Sequence, residues 1–478
     1  MKWKLLLAFW FVGLAAPAQE KWDLRRSVEY ALANNISIKQ ADVQARIAAL
    51  QRRFVEANRI PTLNFNANTG YNFGRAINPA TNAFENRNIY FTGFQLQSGV
   101  NLFNWFSLRY AREGARIDEK AAEADTDRAR NDIALNVAVA YLQALLASEQ
   151  VNISAIQINQ TIAQLDLARR QVAAGTLPPL NAAELEAQLA RDSTNYITAQ
   201  NTYQQNIIQF KALLNLDMAT PFDIEKPDVK TIPVESLGEL QPALVYAEAL
   251  KNLPQQRVNA LRLQSAEQSI KSARAAQFPT VQAFANIGTN TASGFVDQGR
   301  IRAIPSGKFD TLGAVFLPTL DTAFAVQPGR QFIVPEASFF RQFAGINPRQ
   351  SVGINVSVPI LNNRQLRTAY QRAKLTAEDV RLQIDADNLR LQQDIYTAYT
   401  NAVNAVQRYS AAQKEVQTAE VAFNYSQKRY DVGLLQSLQL ITNQNNLFRA
   451  RLNLVAAQYE YVFRLKLLEF YKGRGLKL

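Results

Sequence analysis

The chain contains no cysteine and no histidine among its 478 residues. The first absence excludes disulfides, thiolate nucleophiles and an N-terminal lipidated cysteine. The second removes the commonest general base, and the two together exclude zinc sites of the usual kind. Long apolar runs are also scarce. The run from Leu5 to Leu14 falls short of the roughly 20 residues that a membrane-spanning helix needs. It follows Lys2 and Lys4 and precedes Ala16-Pro17-Ala18, the basic, apolar and small-residue order of a secretory signal peptide. Residues 1–18 are therefore expected to be removed, with the mature chain starting near Gln19. If the remainder enters a membrane it must do so as strands of a closed barrel, because lipid leaves an open backbone unsatisfied.

Charge adds a weaker constraint. Lys and Arg number 52 against 40 Asp and Glu, a formal net charge of +12. The basic residues are spread over helical polar faces and form no single patch, which suits a solvated cationic surface better than a nucleic-acid site. A secreted address argues against a genomic partner as well.

What the chain does have is an internal duplication. Leu102-Phe103-Asn104 matches Ile360-Leu361-Asn362, Ala140-Tyr141 matches Ala398-Tyr399, and Gly175 matches Gly433, all at a spacing of 433 − 175 = 258. Upstream, Ala57 to Leu63 aligns with Ala275 to Val281 at 279 − 61 = 218. The 258 − 218 = 40 extra residues lie between about 290 and 350, a stretch rich in Phe, Pro and Gly without helical period, which reads as a long loop. Its aromatics, Phe295, Phe309, Phe316, Phe324, Phe332, Phe339, Phe340 and Phe343, are expected to form a lid or collar. The predicted organisation is a first repeat over 19–219, a proline-rich connector over 220–242, a second repeat over 243–472 and a tail over 473–478.

Each repeat reads as helix, β-hairpin, very long helix, turn and helix. In Leu63–Phe73, Leu63, Phe65, Ala67, Thr69, Tyr71 and Phe73 alternate with Asn64, Asn66, Asn68 and Asn72, the period of a strand. The same pattern recurs in Tyr90–Leu102, in Val281–Ile287 (broken by Phe284) and in Ser351–Val358, giving hairpins at about 62–103 and 280–360. A neutral Asn/Gln/Ser face opposite an apolar one fits barrel strands with water inside and lipid outside. Four strands cannot close a barrel, so chains must pool them, and a threefold assembly gives twelve. Long proline-free helices are predicted over 106–173 and 364–431, roughly 100 Å each. Return helices follow over 182–214 and 438–470, and shorter ones precede the hairpins at Ile36–Arg59 and Pro254–Phe278.

The duplicated halves, Ile-Pro-Thr-Leu and Phe-Pro-Thr-Val at the helix-to-strand junctions, Leu-Phe-Asn and Ile-Leu-Asn-Asn at the returns, and Tyr-Asp-Val-Gly-Leu-Leu at the second helical turn resemble the TolC family of outer-membrane efflux proteins. The stretch Gly74 to Asn82 is similar to the first external loop of Bacteroidetes-type members. The resemblance covers essentially the whole mature chain. It implies a mainly α protein with a membrane β-barrel: a homotrimer with a twelve-stranded barrel in outer-membrane lipid, a periplasmic α-helical barrel and an equatorial belt. It further implies a passive duct for efflux or type I secretion, opened when a periplasmic adaptor and an inner-membrane transporter dock at the helical tips, with no catalytic residue, cofactor or metal. The tips would be Val172–Asn181 and Tyr430–Ser437. Gly175, Thr176, Leu177, Val432, Gly433, Leu434 and Leu435 would serve docking, and Tyr430 would hold the closed entrance with Asn181 as its polar partner. Some relatives carry acidic residues six and nine positions after the second glycine. Gln439 and Thr442 stand there, which predicts a neutral entrance without cation block.

Two other classes compete. A secreted coiled-coil scaffold or adhesin would share the long helices but leaves four alternating strands unexplained. A degradative enzyme could use Asp125 with Asp127, or Asp385 with Asp387, but these pairs stand among Arg and Asn on predicted helices, where solvated faces are the ordinary reading.

Overall fold

The computed structural model describes residues 21–77, 84–86, 88–226, 232, 235–316 and 322–473. The expected signal segment 1–18, the connector prolines Pro227 and Pro233, and most of the tail lie outside them. The first half contains α1 (Leu24–Asn34), α2 (Ile36–Ala57), β1 (Thr62–Asn72), β2 (Arg75–Ile77), β3 (Phe84–Asn86), β4 (Ile89–Phe103), α3 (Ser107–Ala173) and α4 (Pro179–Leu214). The second contains α5 (Pro242–Asn252), α6 (Pro254–Ala275), β5 (Thr280–Ala292), β6 (Arg302–Phe316), β7 (Thr322–Ile333), β8 (Arg349–Ser357), α7 (Gln365–Asp431) and α8 (Ser437–Tyr471). The duplication holds in the elements: α1 and α5 start 242 − 24 = 218 positions apart, and α3 and α7 start 365 − 107 = 258 apart.

Matching backbone breaks arise from different chemistry. Between α1 and α2, Asn35 is extended, its side-chain oxygen accepts from Ser37 N at 2.8 Å and its amide donates to Leu213 O at 2.8 Å. Between α5 and α6, Leu253 takes nearly the same angles because Pro254 forbids helical backbone before it. At both strand-to-helix returns two consecutive residues are left-handed, Trp105 and Phe106 in one half and Asn363 and Arg364 in the other. Bulky side chains rarely adopt that region.

The chain divides into two compact units. One, residues 53–112 and 268–373, carries the sheet, in the order β1-β4-β5-β8 with every neighbour antiparallel. Cross-strand register places Phe65 beside Leu96 and Leu96 beside Ile287, and Ala283 beside Ile354, building one apolar face. The opposite face runs Asn64, Gln97, Asn286 and Ser351 across all four strands. The apolar side has no cover among the described residues: Leu63 is 68% exposed and Val352 85%. Phe284, the residue that breaks the polar alternation, lies flat over Gly353, whose added Cβ would come within 2.8 Å of its ring, and Phe91 covers Gly70 in the same manner.

The region expected to be a loop from about 290 to 350 is largely a second antiparallel pair, β6 with β7, interrupted by register shifts at Pro305/Phe309 and Thr311/Gly313. Those irregularities, with Pro305, Gly307 and Gly313 inside β6, blur the alternation that would have revealed it. Its base is clasped by buried Gln342, whose amide donates to Ala292 O at 2.9 Å and Ala337 O at 2.8 Å and whose oxygen accepts from Ala292 N at 2.8 Å. Of the aromatics expected to pack into a lid, Phe339 stacks on Phe343 at 5.8 Å, whereas Phe309, Phe324 and Phe332 are exposed.

The second unit, residues 1–52, 113–267 and 374–478 where described, is helical. Its core joins Leu24, Ala31, Val137, Tyr141, Leu145, Phe210, Leu214 and Ile224. Small residues on α3, among them Ala121, Ala124, Ala138, Ala144 and Ala147, are buried, letting helices approach closely. Buried Tyr141 donates to Glu225 O at 2.7 Å, tying α3 to the connector that bridges Ile224 to Trp22.

Candidate functional site

The two helical tips are built by the same device. At the end of α3, Gly175 takes φ 74° and Thr176 N donates back to Gln171 O at 3.0 Å. At the end of α7, Gly433 takes φ 76° and Leu434 N donates to Arg429 O at 2.8 Å. Each is a glycine-closed helix end in which the left-handed residue frees the next N–H to satisfy a terminal carbonyl. Pro179 then starts α4 at its first turn and Ser437 starts α8. Val432 and Leu434, at 68% and 69% exposed, present uncovered apolar surface, as do Leu180 and Leu438. Leu177 packs instead against Leu165, Ala168, Leu185 and Ile441, and Leu435 is half-buried. Gln439 is exposed, and the Thr442 hydroxyl donates to Leu438 O at 2.8 Å.

Tyr430 is buried and its hydroxyl has no hydrogen-bond partner among the described residues. Burial, reinforced by the carboxylates of Asp431 and Glu184, pushes its phenol above the ordinary value. Asn181 lies on the other tip, and its side-chain oxygen accepts from Ser437 Oγ at 2.5 Å. Ser437 also contacts the Glu184 carboxylate. Within one chain, the α4 and α8 starts are therefore joined through Ser437, and Tyr430 and Asn181 are not bonded to each other.

Above the tips a polar layer crosses the helices. Buried Asp192 accepts from Thr161 Oγ1 at 2.7 Å and from Gln188 Nε2 at 2.8 Å; Gln188 also donates to Asn445 at 2.9 Å, and Gln444 donates to Thr161 at 3.0 Å. A buried carboxylate held by neutral donors alone fixes helix register strongly, since any slip leaves it unsatisfied.

Among the described residues no helix is long and apolar enough to cross a membrane, and no group of acidic side chains could hold a metal. The pattern of the outer membrane efflux protein family matches residues 28–216 and 245–474, both halves of the duplication. The chain belongs to that family. It is 22% identical over 365 residues to the pyoverdine export outer membrane protein OpmQ of Pseudomonas putida, a match covering 74% of this chain and 65% of that protein. It is 19% identical over 371 residues to the outer membrane protein TolC of Escherichia coli, covering 77% of this chain and 65% of TolC. Both matches thus span just under two thirds of the relative's own length. Among solved structures, the outer membrane protein VceC of Vibrio cholerae superposes with a TM-score of 0.70 at 17% identity, over 95% of this chain and 97% of that one.

For this outer-membrane efflux protein, sequence reasoning found the tip glycines and named Ser437 as the end of the second tip, but missed the bonds Ser437 makes and missed Glu184 and Asp192. A usable signal exists in the third case: Gln188 and Asp192 stand one turn apart, three residues and more beyond Leu185 on an otherwise apolar stripe. Ser437 and Glu184 carry no such mark, because their meeting depends on two chain segments 253 positions apart.

Proposed function

We propose that three copies of this chain form a passive outer-membrane exit duct, opened at its helical tips when a periplasmic adaptor and an inner-membrane transporter dock. The observation that carries this is the sheet. It has one bare apolar face, one neutral polar face and two strands, β1 and β8, each paired on one side only. Unpaired edges are not viable in lipid, and four strands are too few to close, whereas three sets of four give twelve. The helices support the same assembly. Leu375, Leu382, Leu389 and Tyr396 on α7 recur every seven residues and are 49% to 68% exposed. On α2, Val43, Ile47, Leu50 and Phe54 form a matching exposed stripe. Uncovered heptad seams on helices of one chain are the surfaces that a sister copy covers.

The tips follow from this reading. Exposed Val432, Leu434, Leu180 and Leu438 offer the adaptor an apolar surface, beside Gly175, Thr176, Leu177, Gly433 and Leu435. Tyr430 is buried with an unsatisfied hydroxyl, which supports a role in holding the entrance closed through a bond gained once copies assemble and the side chain turns outward, and Gln439 and Thr442 make the entrance neutral. The protein carries out no chemistry; its work is conduction. The scaffold reading has no use for a bare apolar sheet. Purified protein should run as a heat-sensitive trimer in detergent and conduct ions in planar bilayers; a monomer without conductance would overturn the proposal.

A further inference from the structure

A recess of about 280 Å³ lies where β4 turns into α3, and Arg59, Arg109 and Arg112 line it with Asn101, Phe103 and Phe106. Among the described residues none of the three guanidinium groups has a carboxylate partner, and the nearest acid along α3, Glu113, faces Arg116 at 3.9 Å. Three cations gathered without an anion repel one another, a cost that a bound anion would relieve. The rim identifies what kind. The strand bulges between Asn101 and Phe103, exposing Leu102 and Phe103 together, and Phe103, Trp105, Phe106 and Phe278 touch in a chain with ring centroids 5.1 to 5.9 Å apart. Exposed aromatic rings at the end of an apolar sheet are the surface that settles at a lipid–water boundary. Arginine forks match phosphoryl oxygens in pairs.

We infer that this recess binds the phosphoryl headgroup of an anionic phospholipid, its acyl chains lying along Leu102 and Phe103. The second return lacks the site: Gln277 stands where the first has Arg59, and Tyr370 where it has Arg112. One such site per chain follows. The inference rests on the outer-membrane reading above, and its failure is separable from that reading.

The test uses the full-length trimer, with Trp22→Phe leaving Trp105 as the reporter in the processed chain, in vesicles containing brominated phosphatidylglycerol or brominated phosphatidylcholine. Phosphatidylglycerol should quench Trp105 at several-fold lower mole fraction. Arg109→Gln with Arg112→Gln should lower that preference by about tenfold, while Arg109→Lys, which keeps the charge, retains most of it. Conductance confirms that each variant is assembled. Equal quenching by both lipids in a conducting trimer would overturn the inference and leave the duct standing. So would loss of the preference in the presence of millimolar inorganic phosphate, which would make the recess a free-anion site, or retention of the preference in the double variant, which would place the lipid elsewhere.

Discussion

The two long helices α3 and α7 have the same length, 67 residues, and matching places in the duplication, yet one is covered by its own chain and the other is not. Along α3 buried positions continue from Gly114 to Ala168, whereas α7 exposes Leu375, Leu382 and Leu389 and buries mainly alanines. The equivalent tyrosines make the contrast local: Tyr141 is 1% exposed and bonds the connector, and Tyr399 is only half-buried. Duplication therefore fixes backbone but not burial, and the proposed assembly is what would cover the bare helix. In the proposed assembly α3 is the interior of a protomer, and α7, together with the exposed stripe of α2, supplies its joint.

The largest test strikes that joint. Leu382→Asp combined with Leu389→Asp should weaken trimer formation by on the order of 100-fold or more, with helicity by circular dichroism unchanged. Retained trimers would erase the distinction between the helices. Next, Tyr141→Ala should destabilise the protomer by about 3–5 kcal/mol and Tyr399→Ala by about 1–2 kcal/mol in denaturant unfolding. Equal losses would mean that α7 is as well covered as α3.

At the tips the halves should agree. Gly175→Ala and Gly433→Ala each meet nothing within 4 Å, so both pay only the left-handed backbone penalty, about 1–2 kcal/mol, read by local hydrogen exchange. The smallest effect on the fold is Tyr430→Phe, which removes an unsatisfied hydroxyl and should shift protomer stability by less than about 0.5 kcal/mol while raising closed-state conductance. The pH dependence has a definite sign. Because the folded phenol is raised from its ordinary 10.0, the neutral form's contribution is intact below pH 10.0 and is lost as pH climbs through the folded value. Conductance of the native duct should rise in that alkaline range, and the Phe variant should show no such step.

Much of this was legible in the sequence, for physical reasons that can be named. Repeats at 218 and 258 positions, period-two alternation in Leu63–Phe73, and proline-free stretches on either side of Gly175 and Gly433 are local signals, and they carried the fold class. The β6–β7 pair was not legible, since Pro305, Gly307 and Gly313 interrupt its alternation and its clasp through Gln342 joins residues 50 positions apart. The tip site was half legible. Glycine announces a left-handed turn by its chemistry, but the pairing of Ser437 with Asn181 and Glu184, and the layer around Asp192, exist only after helices have packed. Trp105 and Phe106 were hidden for another reason: nothing in a bulky side chain predicts φ of 49° and 65°, and the matching Asn363 and Arg364 share the backbone without sharing the chemistry.

In the proposed duct, Phe284 lying over Gly353 stands on the polar face of the sheet, the one that would border the solute path. A ring kept flat occupies little of the bore. A side chain at position 353 would displace that ring, and in the proposed trimer three such displacements, one per copy, would act as a constriction produced by a single methyl group. Throughput of the proposed duct would thus depend on the absence of one carbon atom.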